Sequence, residues 1–415
     1  MGADIRAGGA AMRLLGVLLL VGLAGCNRAG ADGEPDAPPP VEWSADMGAV
    51  ADGSNRFALD LYAKLRDEKG NVFFSPYSVH TALSMTATGA RGNTRDEMVR
   101  VLHLPADEAK ALASGDLGRF YGNPRKDYEF AVANALWGQK DYPWRPEFLT
   151  LQKDRFGAGF NEADFRSNHE AERQRINRWV EEKTRDRIKE LLLPDQITSQ
   201  TTMVLANAIY FKGQWVTQFD PEKTHDAQFH LLDGTTVPVP MMSGEPKCRF
   251  GYVPGAWVLE LPYRGDELAM MVILPEKWNG LPDVEKQLTP DTLTKWVAAL
   301  RDRPTHPVQL PRFRVECRYD LPPQLKALGM VDAFDPAAAD FTGMATSPPG
   351  WISAVAHKAF VDVNEEGTEA AAATAVVMTL SEPVPFVADH PFLFLIRDPK
   401  HGTILFMGRV TNPKA

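Results

Sequence analysis

Phe57, Leu61 and Leu65 recur every four residues with charges between them, which predicts an amphipathic helix over 54–70 ending near Gly70. A second helix follows Phe73-Phe74-Ser75-Pro76-Tyr77-Ser78. There Ser75 is placed to cap and Pro76 to occupy the first helical position, with the helix running toward Gly89. The pattern then changes. Residues 130–138 and 201–215 are apolar, β-rich and similar in style, as expected of neighbouring strands in a buried sheet, with a helix over about 169–192 packed across them. Beyond residue 250 short apolar runs at 257–263, 268–274, 308–316, 352–363, 391–397 and 402–410 lie between Gly, Pro and Asp clusters. Helical spacing returns at 285–300 and 320–329. Helices first and strands later is an α+β pattern, not a βαβ alternation.

The chain has 415 residues, and after residue 42 no Pro/Gly/Ser-rich linker or repeat divides it, so residues 43–415 read as one large domain. A net charge of −9 leaves no footprint for nucleic acid, and the most basic stretch, 172–190, interleaves both signs at helical spacing as a solvated helix face does. The N-terminus is separate. Arg13 precedes an apolar run from Leu14 to Leu23 that ends in Leu23-Ala24-Gly25-Cys26, too short to span a membrane and suited to a cleaved signal over 1–25, with Met12 an alternative start to Met1. This segment resembles a bacterial lipoprotein signal. That resemblance implies lipid attachment at Cys26, a Pro-rich tether over 26–42 and an extracytoplasmic location, periplasmic or cell-surface, with free secretion the alternative. The remaining Cys248 and Cys317 are too few for a disulfide framework and are expected to be unpaired.

No catalytic motif emerges. Gly-x-Ser-x-Gly, His-Glu-x-x-His, Cys-x-x-Cys, the phosphate-cradling loop and Gly-x-Gly-x-x-Gly are all missing from the sequence. His225 and His230 have a spacing that suits neither one helical face nor a zinc site, and read as a surface pair. A triad assembled in space would escape such a search.

One stretch is unusual. From Gly367 to Ser381 the only charge is Glu369 and there is no proline before Pro383. The Ala370–Ala373 run has helix propensity, but Thr374, Val376, Val377 and Thr379 are β-branched and Gly367 supplies a swivel. With period two, one face carries Thr368, Ala370, Ala372, Thr374, Val376 and Met378, small or neutral throughout. Such a strand, roughly fifteen residues and on the order of 50 Å, could enter an existing sheet without burying a charge. It reads as a loop that can become a central strand.

The segment Asn364-Glu365-Glu366-Gly367-Thr368-Glu369-Ala370-Ala371-Ala372 closely resembles the reactive-loop hinge of the serpins, with the small residues of inhibitory members. Phe73–Ser78, Leu205–Trp215, His357-Lys358-Ala359 and Asp389–Arg397 resemble further signatures of that family. The resemblance implies three β-sheets, about eight or nine helices and an exposed reactive-centre loop over 365–388. It makes Glu365, Glu366, Gly367, Thr368, Glu369, Ala370, Ala371, Ala372 and Ala373 the hinge. It places Ser75, Ser78, Asn207 and His357 in a polar cluster where the central sheet opens, with Trp215 at the top of the opening. It puts the scissile bond between Ser381 and Glu382, or one residue earlier at Leu380-Ser381.

The function implied is irreversible suicide inhibition of a serine protease by a monomer that needs no cofactor and is not an enzyme. Because 370–396 holds no Lys or Arg, the target should accept small or apolar residues, as elastase-, chymotrypsin- or subtilisin-like enzymes do. The alternatives are a non-inhibitory serpin acting as a binding or folding factor, and a lipid-anchored hydrolase with a spatial triad.

Overall fold

The computed structural model describes residues 41–157, 160–347, 350–367 and 384–415. Cys26, Thr368 to Ala373, Leu380, Ser381 and Glu382 lie outside the described residues.

Three sheets organise the fold. The five-stranded sheet runs in the order Phe313–Asp320, Ile352–Val363, Met203–Gly213, Tyr128–Gln139, Phe160–Ala163. Met203–Gly213 and Tyr128–Gln139 are antiparallel neighbours, as their matching composition suggested. Their side chains alternate between two covered faces. On one, Ala133, Ala135, Ala206, Ala208, Ala354 and Ala356 form a floor of small residues on which helix Phe165–Lys183 lays Phe165, Ile176 and Val180. On the other, Phe130 and Phe211 meet Phe406 of the seven-stranded sheet at 5.8 and 6.1 Å between ring centres.

The seven-stranded sheet has the order Val72–Phe74, Ile404–Val410, Phe392–Arg397, Ala269–Pro275, Ala256–Pro262, Cys248–Val253, Arg301–Arg303. Three of its strands, Ala269–Pro275, Phe392–Arg397 and Ile404–Val410, are buried at every position, which is why they are apolar without alternation. The four-stranded sheet pairs Phe386–Val387, Val308–Pro311, Thr236–Gly244 and His225–His230.

Helix Pro76–Ala87 runs beneath the sheets and is buried at all twelve positions. Ser75 caps it, its Oγ accepting from the Ser78 N–H at 3.2 Å. There are ten α-helical segments among the described residues, nine if the abutting Glu108–Ala111 and Ala113–Gly122 are one helix. Cys248 and Cys317 are unpaired.

Several boundaries differ from the sequence reading, each for a local reason. The first helix is Ala45–Leu65 and starts where Ser44 accepts from the Met47 N–H. The helix expected over 169–192 is Phe165–Lys183, capped by Asp164, and the chain beyond it turns left-handed at Arg185 and Asp186. The helical stretch at 285–300 is two helices, Leu281–Gln287 and Pro290–Ala299, separated by a Thr289 cap and Pro290. The run at 308–316 is two strands in different sheets, divided at Arg312.

Candidate functional site

Within the five-stranded sheet the two central strands, Ile352–Val363 and Met203–Gly213, are paired in parallel. The chain leaves the first of them at Val363 and turns at once. A segment that folded back between the two would run antiparallel to both. It would replace one parallel ladder with two antiparallel ones, the slightly more favourable pairing per residue.

A row of polar groups closes this seam from the buried side. His357 and Asn207 sit opposite each other across the parallel pair, and Asn134 sits opposite Asn207 on the next strand. The Ser75 backbone N–H donates to His357 Nε2 at 3.0 Å, so Nδ1 carries the proton and gives it to Asn207 Oδ1. Asn207 Nδ2 donates to Ser78 Oγ at 2.6 Å and to Asn134 Oδ1, and Ser78 Oγ donates to Asn134 Oδ1 at 2.8 Å. Ser75 Oγ donates to the Leu405 carbonyl at 2.6 Å, tying the same cap to the seven-stranded sheet. Ser75, Ser78, Asn207 and His357 are all buried, and burial pushes His357 down to about 3, so the ring is neutral as the geometry requires. His80, one helical turn on from the cap and bonded to the Leu102 carbonyl, is pushed down by burial to about 4.

Above the seam, residues Asn364 to Gly367 form a tight turn in which each end donates an N–H to the other's carbonyl, at 2.9 and 3.2 Å. Gly367 has φ +136°, and a Cβ there would lie 2.2 Å from the Gly213 carbonyl oxygen, so no other residue fits. The neighbouring strand end receives the turn through two amides. Trp215 N–H donates to the Glu366 carbonyl at 2.9 Å and Phe219 N–H to the Glu365 carbonyl at 2.8 Å. Trp215 is buried, stacks on Tyr263 with ring centres 4.6 Å apart, and donates its indole N–H to the Asn364 carbonyl at 3.1 Å. Glu365 is the side-chain anchor. Its Oε1 takes hydrogen bonds from Arg312 Nε at 2.6 Å and from the Thr224 hydroxyl. Burial opposes its ionisation, but these donors outweigh it and hold the carboxyl below its ordinary value.

The structure thus brings Ser75, Ser78, Asn207 and His357 into one hydrogen-bonded cluster, and Trp215 with Glu365, Glu366 and Gly367 into one turn. Three contributors escaped the sequence reading. Asn134 had a readable signal, because Ala133-Asn134-Ala135 repeats Ala206-Asn207-Ala208 on a strand of the same style. Arg312 and Thr224 had none, since their pairing with Glu365 depends on where two sheets meet. The described residues contain no group of three or more His, Cys, Asp or Glu arranged to hold a metal ion.

A family model described as Serpin (serine protease inhibitor) matches residues 52–413. The leukocyte elastase inhibitor of Sus scrofa is 41% identical over 386 residues and that of Homo sapiens 39% over 379, each covering 88% of this chain and 100% of the relative. Among solved structures, uncleaved ovalbumin superposes with a TM-score of 0.81 at 30% identity, over 88% of this chain and 100% of its own. Human thyroxine-binding globulin, in complex with thyroxine, gives 0.81 at 31%, and Serpin48 of Tenebrio molitor, described as a highly specific serpin, gives 0.79 at 32%; each covers 89% of this chain and 100% of its own.

Two outcomes follow from the geometry. The unfolded chain takes up a proton at His80 and His357 below about pH 6.5 that the folded chain refuses until about 4 and about 3, so stability falls as pH drops through that window. The loss should approach roughly 1.4 kcal/mol per pH unit for each histidine. It is measured as the urea unfolding midpoint between pH 7 and 5.5, and a flat midpoint contradicts it. Gly367→Ala should dislodge the turn and speed hydrogen exchange at the Trp215 and Phe219 amides by about tenfold or more, with the amides of the Ala269–Pro275 strand unaffected.

Proposed function

The chain belongs to the serpin family, a family of serine protease inhibitors and not of enzymes, and we propose that it is an irreversible suicide inhibitor of elastase-, chymotrypsin- or subtilisin-like serine proteases. The observation that carries this reading is the parallel seam. Two central strands stand without a strand between them, and directly above them a Gly367 hinge leads into a segment whose inserting face, Thr368, Ala370 and Ala372, is small and uncharged. Support for the target class comes from the missing Lys and Arg over 370–396 and from relatives named as leukocyte elastase inhibitors.

The chemistry belongs to the protease. Its serine attacks the Ser381 carbonyl, the amine of Glu382 leaves with the proton delivered by the protease's histidine, and an ester joins the two proteins. The segment freed at Ser381 then enters the seam from Gly367 downward, as in the strand addition known for this family. Insertion carries the esterified protease along and distorts its site before water can complete hydrolysis. Opening the seam breaks the His357–Asn207 bond and requires Ala354, Ala356, Ala206 and Ala208 to accept a new neighbour, which their size allows. The backbone bonds from Trp215 and Phe219, with the Arg312–Glu365 ion pair beside them, hold the hinge in place until cleavage.

The N-terminal signal supports a second part of the same reading: the chain is anchored on an extracytoplasmic membrane face by lipid on Cys26, with residues 27–42 as tether. The described domain contains no helix long and apolar enough to cross a membrane.

Mixing the protein with pancreatic elastase, chymotrypsin and a subtilisin should give an adduct that survives denaturation, with release of a peptide beginning at Glu382, or at Ser381 if the register is one residue earlier. Clean cleavage with active protease and no adduct would make the chain a substrate-type or binding member of the family. Ala372→Glu, which forces a charge into the seam, should shift the outcome from adduct to simple cleavage by about tenfold or more while leaving the rate of first cleavage unchanged. Cys26→Ala should move the protein from the membrane fraction to the soluble fraction in its native host, and mass analysis of the mature wild-type N-terminus should find acylated Cys26.

A further inference from the structure

At the opposite end of helix Pro76–Ala87 from its Ser75 cap, a cavity of about 430 Å³ lies between that helix, helix Gly92–Val101 and the single-turn helix Glu108–Ala111. Its walls are largely apolar, contributed by Ala87, Val99, Leu104, Ala111, Leu112 and Leu151. That size and lining are those of a small-molecule site rather than of a packing defect. Thr88 and Arg91 also line it, but Thr88 Oγ1 accepts from Gln152 and Arg91 Nη1 donates to the Thr88 and Ala90 carbonyls. Two further polar features are not satisfied in that way. Ser84, 2% exposed, lines the cavity, and its Oγ has no hydrogen-bond partner. Arg95 lies at the rim, and its guanidinium is met at 3.2 Å by the carboxylate of Glu108, whose side chain is 68% exposed against 24% for Arg95. The arginine is the embedded partner and the carboxylate the loosely held one. Glu108 belongs to a helix of only four residues with none of them buried, so it can swing away at little cost.

We propose that this cavity binds a compact aromatic monocarboxylic acid bearing a hydroxyl at the end of the ring away from the carboxylate. The ligand's carboxylate takes the place of Glu108 on Arg95, where a charge-assisted bond fixes its orientation. The ring fills the apolar chamber, and the hydroxyl supplies the partner that Ser84 lacks. An acid for the partly exposed Arg95 and a hydroxyl for the buried Ser84, joined by an apolar body, is what this lining selects. A neutral alcohol of the same shape leaves Arg95 with Glu108, and an unsubstituted ring leaves Ser84 unpaired. The assignment uses none of the residues of the seam or the hinge and does not depend on inhibition.

The test is isothermal titration of the intact protein with 3-(4-hydroxyphenyl)propionate, with 3-phenylpropionate and 3-(4-hydroxyphenyl)propan-1-ol as comparators. The hydroxylated acid should bind saturably at one site and more tightly than either comparator. Arg95→Gln, at a partly exposed position, should weaken the acid by roughly tenfold. Ala111→Phe, which fills the chamber, should abolish binding, and Ser84→Ala should erase the preference for the hydroxylated ring. Circular dichroism and the thermal midpoint verify that each variant is folded. The assignment is overturned if no saturable binding is seen, or if the affinity is indifferent to Arg95→Gln or to Ala111→Phe in folded protein.

Discussion

The structure depends on one arrangement: two long strands at the centre of a sheet, paired in parallel, with the chain leaving the top of one of them. Parallel neighbours normally need a long crossover and are buried on both faces. Here the crossover from Met203–Gly213 to Ile352–Val363 takes in most of the second half of the chain. The pair is covered by helix Phe165–Lys183 on one side and by the seven-stranded sheet on the other. Within that frame the seam is closed by backbone ladder bonds and by the neutral imidazole of His357, which works only because both its nitrogens are engaged. A charged ring at this depth would need a counter-charge, and Asn207, Ser78 and Asn134 offer dipoles only.

The lock below the seam and the turn above it differ in kind. Below, the bonds link neutral groups, all buried but the half-buried Asn134, so they are directional and carry no net charge for salt to screen. Above, the Arg312 and Glu365 pair is half open on the arginine side and carries a charge. Its worth is correspondingly modest and screened, while the backbone bonds from Trp215 and Phe219 define the geometry. The turn is therefore held mainly by shape, through the missing Cβ of Gly367, and only secondarily by charge.

Much of this was legible in the residues. Ser75 and Pro76 announced a capped helix start, because capping depends on local chemistry and local chemistry is what a sequence displays. The small alternating face after Gly367 lies outside the described residues. The seam's polar row was legible only through likeness to a family, because Asn207 and His357 are 150 residues apart and each, alone, looks like a satisfied core residue. Edge strands such as His225–His230 carry too few buried positions to alternate visibly. The break at Arg312 lies inside one apolar run whose two halves serve different sheets.

That break has a wider consequence. Strand Val308–Pro311 pairs with Phe386–Val387, and the next residue, Arg312, grips Glu365. The described residues on either side of 368–383 are thus held by five consecutive residues, Val308 to Arg312, four in a strand of the four-stranded sheet and the fifth at the break between sheets. A displacement of Val308 to Arg312 would therefore shift both attachment points together, which couples the position of the Gly367 turn to that of Phe386–Val387.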